Sequence, residues 1–99
     1  MSVEDIKKKV RDCLVKMPQR HNVRKVSLFG SYLHGKATAD SDVDLLIELD
    51  EPVGYFELVR MQRQLELTLG QPVDLVTPKA LSKYFSQEVL AEARSLYEK

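Results

Sequence analysis

No apolar run in this 99-residue chain approaches the roughly 20 residues needed to cross a bilayer, so a membrane-spanning helix is excluded. Charge of one sign is lacking too. Fifteen basic residues offset fifteen acidic ones, which leaves none of the basic excess that marks nucleic-acid binders. A single cysteine, Cys13, excludes an internal disulfide and suits a reducing compartment. The opening Met1-Ser2-Val3-Glu4-Asp5 lacks the basic-then-apolar run of a signal peptide. These absences predict a cytoplasmic protein with no membrane contact and no direct nucleic-acid binding. Repeats, linkers and low-complexity tracts are missing as well. The 43% of hydrophobic residues fits a globular chain with one modest core, and one domain is expected over residues 1–99.

The periodicity predicts a helix from Ser2 to Lys16. Ser2 is placed to cap it, Asp5 to close a capping box, and Val3, Ile6, Val10, Cys13, Leu14 and Met17 share one face. Pro18 ends it. Val26 to Phe29 reads as a short strand that stops at Gly30, and Ser31 to Gly35 as a short helical turn. Asp42 to Leu49 reads as a second strand. The central helix is expected from Tyr55 to Leu69, stopped by Gly70 and Pro72. Val73 to Val76 reads as a third strand. Thr77 and Pro78 then suit a helix start. A last helix, with Ser86 as its cap, is expected to carry Val89, Leu90, Ala93, Leu96 and Tyr97 on its apolar stripe.

The expected order is α-β-α-β-α-β-α, a small α/β (α+β) fold with a mixed sheet of about three to four strands flanked by helices. A helical crossover of about twenty residues favours parallel pairing of strands two and three. The short link between strands one and two favours an antiparallel pair. Those orientations bring Gly30, at the exit of strand one, to the same end of the sheet as Asp42, Asp44 and Asp74, at the entrances of strands two and three.

Side chains alternate along a strand, so Asp42 and Asp44 share a face, and Asp74 on the neighbouring strand can join them. Three carboxylates this close repel one another unless a cation neutralises them. Hard oxygen ligands select Mg²⁺ or Mn²⁺. Two such ions can activate an attacking oxygen and stabilise a leaving phosphate. Gly30 lets the backbone approach a phosphate, Ser31 adds a hydroxyl, and the turn that follows presents free N–H groups. A lone Gly-Ser is usually a turn and a lone Asp-x-Asp a wet strand edge. Together, each at the end of an apolar strand, they make nucleotidyl transfer the leading reading.

Gly30-Ser31, Asp42-Val43-Asp44 and Asp74 resemble the signature of the nucleotidyltransferase superfamily related to DNA polymerase β. More narrowly, the stretch from Phe29 to Leu45 is similar to the motif of the minimal nucleotidyltransferases, or MNT proteins, of bacteria and archaea. The resemblance implies a polymerase β-like fold in which Asp42 and Asp44 hold two metal ions, Mg²⁺ or Mn²⁺. It implies that Asp74 holds the catalytic ion and helps deprotonate the acceptor, while Gly30 and Ser31 contact the β- and γ-phosphates of a nucleoside triphosphate, ATP by preference. The reaction implied is in-line attack on the α-phosphate with release of pyrophosphate. Relatives of this size are commonly paired with a HEPN-domain toxin, and some attach AMP to a tyrosine of it. The same resemblance therefore implies an antitoxin whose acceptor and binding partner is a HEPN protein; homo-oligomerisation is left open. The pattern departs at Tyr32 and His34, where many relatives carry Arg.

Other residues have structural readings. Cys13 is expected in the core, Lys7-Lys8-Lys9 on a wet helix face, and Arg60 and Arg63 in ion pairs with Glu57 and Glu66, with one of the two arginines a candidate for a triphosphate. Tyr55 and Phe56 are expected in the core rather than as base-stacking platforms. Tyr84, Phe85 and Tyr97 suit either core or a partner surface. Two competing functions stand beside the enzyme: a binding module that neutralises a partner by contact, its acids vestigial, and a transferase acting on a small molecule.

Overall fold

The computed structural model describes residues 1–38, 40–80 and 83–99, without the side chains of residues 83–86. Helix α1 spans Val3–Lys16 and opens with the expected capping box: Ser2 Oγ accepts from the Asp5 N–H, and Asp5 Oδ2 accepts from the Ser2 N–H, each at 3.1 Å. These bonds to Ser2 hold the Asp5 carboxyl below its ordinary pKa. One face of α1 buries Ile6, Val10, Cys13 and Leu14. Each large apolar side chain taken from water contributes roughly 1.5–3 kcal/mol before the entropy of ordering is subtracted.

Strand β1 is Val23–Phe29, β2 is Val43–Leu49 and β3 is Val73–Val76, and helix α2 spans Tyr55–Leu69. β1 and β2 pair antiparallel and β2 and β3 parallel, as the connection lengths require. α2 ends at Gly70, whose φ of +70° is a left-handed cap that glycine adopts without steric cost. The outer edge of β3 is covered by α2. Glu66 Oε2 accepts from the Val73 N–H at 3.0 Å, and Gln62 Oε1 from the Leu75 N–H at 3.2 Å. Glu66 therefore serves the sheet edge instead of pairing with Arg63, whereas Arg60 does meet Glu57, at 3.8 Å. Satisfying these N–H groups keeps the edge from recruiting another strand.

The mixed sheet flanked by helices is as expected, but the α-β-α-β-α-β-α order is corrected at two places. Ser31 to Gly35 forms a hydrogen-bonded turn, with Leu33 and His34 N–H on Gly30 O, and not a helix. The last helix, α3, runs only Lys83–Glu92, and Arg94–Glu98 is a strand, β4, antiparallel to β1. The sheet order is β3-β2-β1-β4. The spacing of Val89, Leu90, Ala93, Leu96 and Tyr97 fits a helix, but the open edge of β1 offers backbone partners that a helix there would leave unpaired. An irregularity between Val26 and Ser27 sets Leu96 and Tyr97 side by side in the β4 ladder. A bulge of this kind turns two successive side chains toward one face, so Leu96 is 1% exposed and Tyr97 packs on the same cluster. Ser86 falls inside α3 rather than at its start, and its side chain, like those of Tyr84 and Phe85, lies outside the described residues. Thr77 and Pro78 open only a 3₁₀ turn, Pro78–Ala80.

The sheet has two differently used faces. α1 and α2 pack against Val26, Leu28, Val43, Leu45 and Ile47. The other face carries Phe29 and Leu46, covered by Val89 of α3. Asp44 alternates with Val43 and Leu45, and so projects to the α3 side. No described helix is long and apolar enough to cross a membrane.

Candidate active site

Gly30 follows the last residue of β1 with φ +78°. The turn built on it is bound from two sides. Tyr32 Oη donates to Gln71 Oε1 at 3.3 Å, on the connection into β3, and His34 Nε2 lies 3.0 Å from Glu92 Oε2 at the end of α3. Tyr32 and Leu33 also pack against the main core. Ser31, half-buried, begins the turn.

Asp44 stands directly opposite Phe29 in the β1–β2 ladder and opposite Asp74 in the β2–β3 ladder. It is thus the meeting point of the three strands, one residue from Gly30. A Cβ built on Gly30 would lie 2.1 Å from Asp44 Oδ2, so only glycine lets the backbone sit against this carboxylate. Asp42 precedes β2, and the Val43 N–H beside it bonds to Pro72 O at 2.8 Å, which ties this end of β2 to the entrance of β3. Asp42 and Asp74 are exposed and Asp44 is half-buried.

Asp74 and Asp42 lie close enough to Asp44 for their charges to act on its carboxyl. Burial, then the charge of Asp74, then that of Asp42, push the Asp44 carboxyl up to about 6. Among the described residues no side-chain donor bonds to any of the three. Nor do any three His, Cys, Asp or Glu side chains among the described residues stand close enough to hold a metal ion. The acids are neighbours in the ladder without forming a closed cage. Their chemistry nevertheless fits a hard divalent cation: oxygen donors only, mutually repelling, one of them half-buried without a neutralising partner.

α2 buries Met61, Leu65 and Leu69 against the opposite face of the sheet, and Arg60 pairs with Glu57. Tyr55 and Phe56 are not core. They are 74% and 77% exposed, edge-to-face with ring centroids 5.9 Å apart, and begin the helix that follows the far end of β2. Cys13 is core as expected, its thiol pKa raised by burial. Gln71 and Glu92 were not foreseen as supports of the turn. They lie 39 and 58 residues from Tyr32 and His34, and nothing local marks either.

A Gly-Ser turn thus stands beside Asp44 at one end of a mixed sheet, with Asp42 and Asp74 close enough for their charges to act on it. Residues 7–96 match the family described as "Nucleotidyltransferase domain", and the chain belongs to that family of enzymes. It is 33% identical over 92 residues to protein adenylyltransferase MntA of Thermococcus cleftensis, covering 93% of each chain. It superposes with a TM-score of 0.78 on a solved structure assigned as a minimal nucleotidyltransferase, at 32% identity and 95% coverage of each chain. A complex of a tri-AMPylated Shewanella oneidensis HEPN toxin with its MNT antitoxin shares the fold, with a TM-score of 0.71 at 21% identity, covering 97% of this chain and 72% of that one.

Proposed function

We propose that this enzyme moves AMP from ATP onto a HEPN-domain partner protein, as the antitoxin of a toxin–antitoxin pair. The observation that carries the reading is Asp44 seated against Gly30, its carboxyl raised by burial and by the charges of Asp74 and Asp42. The MntA relative's name and the AMPylated HEPN complex support the choice of acceptor. Asp42 and Asp44 would hold two Mg²⁺ or Mn²⁺ ions and Asp74 one of them; when bound, the ions supply charge neutralisation for the attacking and leaving oxygens. The Gly30 backbone and Ser31 hydroxyl would receive the β- and γ-phosphates. Asp74, at the open edge of the triad, would take the proton of an acceptor hydroxyl. That oxygen bonds to the α-phosphorus while the bond to the β-phosphate breaks, and pyrophosphate leaves.

A second reading is favoured by one observation. Tyr32 and His34 are engaged with Gln71 and Glu92, so neither is aimed at a triphosphate. In that reading the protein neutralises its partner by contact alone.

The test is transfer of label from α-labelled ATP to a co-purified HEPN protein, with Mg²⁺ or with Mn²⁺. Asp44→Asn is expected to cut transfer by roughly 100-fold or more, the scale set by removing one preorganised charge-stabilising group. Equal labelling by wild type and variant removes the catalytic reading. Neutralisation of the toxin by an unlabelling variant establishes the contact reading.

A further inference from the structure

At the opposite end of the sheet lies a groove of about 400 Å³ between α1 and the end of β4. His21 precedes β1 and Lys99 follows β4, while the carboxylate site is at the Phe29 end of β1. Seven residues of strand, about 20 Å, separate the two. Three of the groove's lining side chains, Arg11, Arg20 and Lys99, are cationic and none is acidic, in a chain whose charges cancel.

The bases are unevenly satisfied. Lys99 Nζ meets Asp50 Oδ2 at 2.6 Å and His21 O at 2.7 Å. Among the described residues the Arg20 side chain bonds only to Val15 O, at 3.0 Å, and to the His21 ring, at 3.4 Å, and Arg11, with Glu4 and Asp12 near its other side, forms no ion pair. The Arg20 guanidinium has five N–H donors, so most remain free. The rest of the lining is apolar. Val15 is 65% exposed, an aliphatic side chain left in water beside the arginines, and Tyr97 is brought to this face by the β4 bulge.

We infer that this groove docks an acidic segment of a partner protein, carboxylates against Arg11 and Arg20 and an apolar side chain against Val15 and Tyr97. Unpaired arginines around an apolar floor suit a peptide that carries both features. A single strand of nucleic acid would need a run of aromatic platforms, and this groove has only Tyr97 and the His21 ring. Because the groove lies at the far end from Asp44, an occupant would leave the carboxylate site open. The inference stands whether or not the enzyme transfers AMP.

The experiment is titration of the ¹⁵N-labelled full chain with a synthetic peptide of alternating glutamate and leucine. A lysine–leucine peptide and an oligothymidylate strand serve as comparisons. Saturable shifts of the amide signals of Arg11, Val15, His21 and Tyr97, weakening with salt, are expected with the acidic peptide alone. Arg11→Glu is expected to weaken binding about tenfold or more, as reversing a desolvated charge contact does, with an unchanged spectrum elsewhere. Val15→Asp, also at an exposed position, is a second variant expected to lose binding without loss of fold. Shifts centred elsewhere, no shifts, equal binding of the basic peptide, or binding unmoved by both variants overturns the inference. Tighter binding of the oligothymidylate assigns the groove to nucleic acid instead.

Discussion

Gly30 and Asp44 compete for one small space: a methyl group on Gly30 would sit 2.1 Å from Asp44 Oδ2 and 2.9 Å from its Cγ. The backbone at the Gly-Ser turn is therefore in van der Waals contact with the carboxylate at the centre of the triad. The left-handed φ and the close approach independently require glycine.

This contact separates two glycine variants. Gly30→Ala is expected to lose of order 1–3 kcal/mol from backbone strain, and to displace Asp44 as well. Gly35 has a similar φ, +69°, but open space where its Cβ would be. Gly35→Ala should therefore carry only a strain cost and keep nucleotide transfer. Melting curves and the labelling assay together check this, and equal loss of transfer in the two variants contradicts the contact's role.

The Asp44 carboxyl gives a pH signature. Its folded pKa of about 6 lies above the ordinary value of 3.8. Folding therefore favours the protonated form: the group's contribution is full below pH 4 and is lost as pH rises through 6. In metal-free protein, wild type is expected to lose melting temperature relative to Asp44→Asn between pH 4 and 7. Saturating Mg²⁺ should reverse the trend at pH 7. A constant difference across the range, with and without Mg²⁺, excludes a strained carboxylate here.

Strand β4 makes its own prediction. Leu96 is 1% exposed and Leu90 on α3 is 53% exposed. Leu96→Ala is expected to cost about 2–5 kcal/mol, and Leu90→Ala well under that. A chemical melt distinguishes them. Comparable losses would fit a continuous C-terminal helix instead.

The His34–Glu92 contact fastens the turn and contributes little to stability. Both side chains are about half exposed, at 46% and 59%, and pairs of this kind are worth about 0–1 kcal/mol. Glu92→Gln is expected to leave the melting temperature nearly unchanged and to raise the KM for ATP several-fold more than it lowers kcat. A pure fall in kcat, with KM unmoved, would place Glu92 elsewhere in the reaction.

Much of the fold and site was legible from local signals. Ser2 and Asp5 announce their capping box, Gly70 its helix stop, and the apolar runs around Leu28 and Leu46 their strands. Connection lengths then decided which pairs were parallel, and this alone brought Gly30, Asp42, Asp44 and Asp74 together. Tyr55 was misplaced because it continues the apolar spacing of Met61, Leu65 and Leu69. Tyr55 is nevertheless 74% exposed, because periodicity does not say which turns of a helix are covered.

The sequence by itself determined the cap of α1, the stop of α2 and the faces of β1 to β3, because caps and side-chain alternation depend on neighbours a few residues away. It also determined the donor types at the site. Only the tertiary structure decided that residues 94–98 pair with β1, that Glu66 and Gln62 seal β3, and that Glu92 and Gln71 hold the Gly30 turn. Each of those choices depends on an unpaired backbone edge or a polar group brought near by folding. The pull of such a partner is absent until the chain has already collapsed around it.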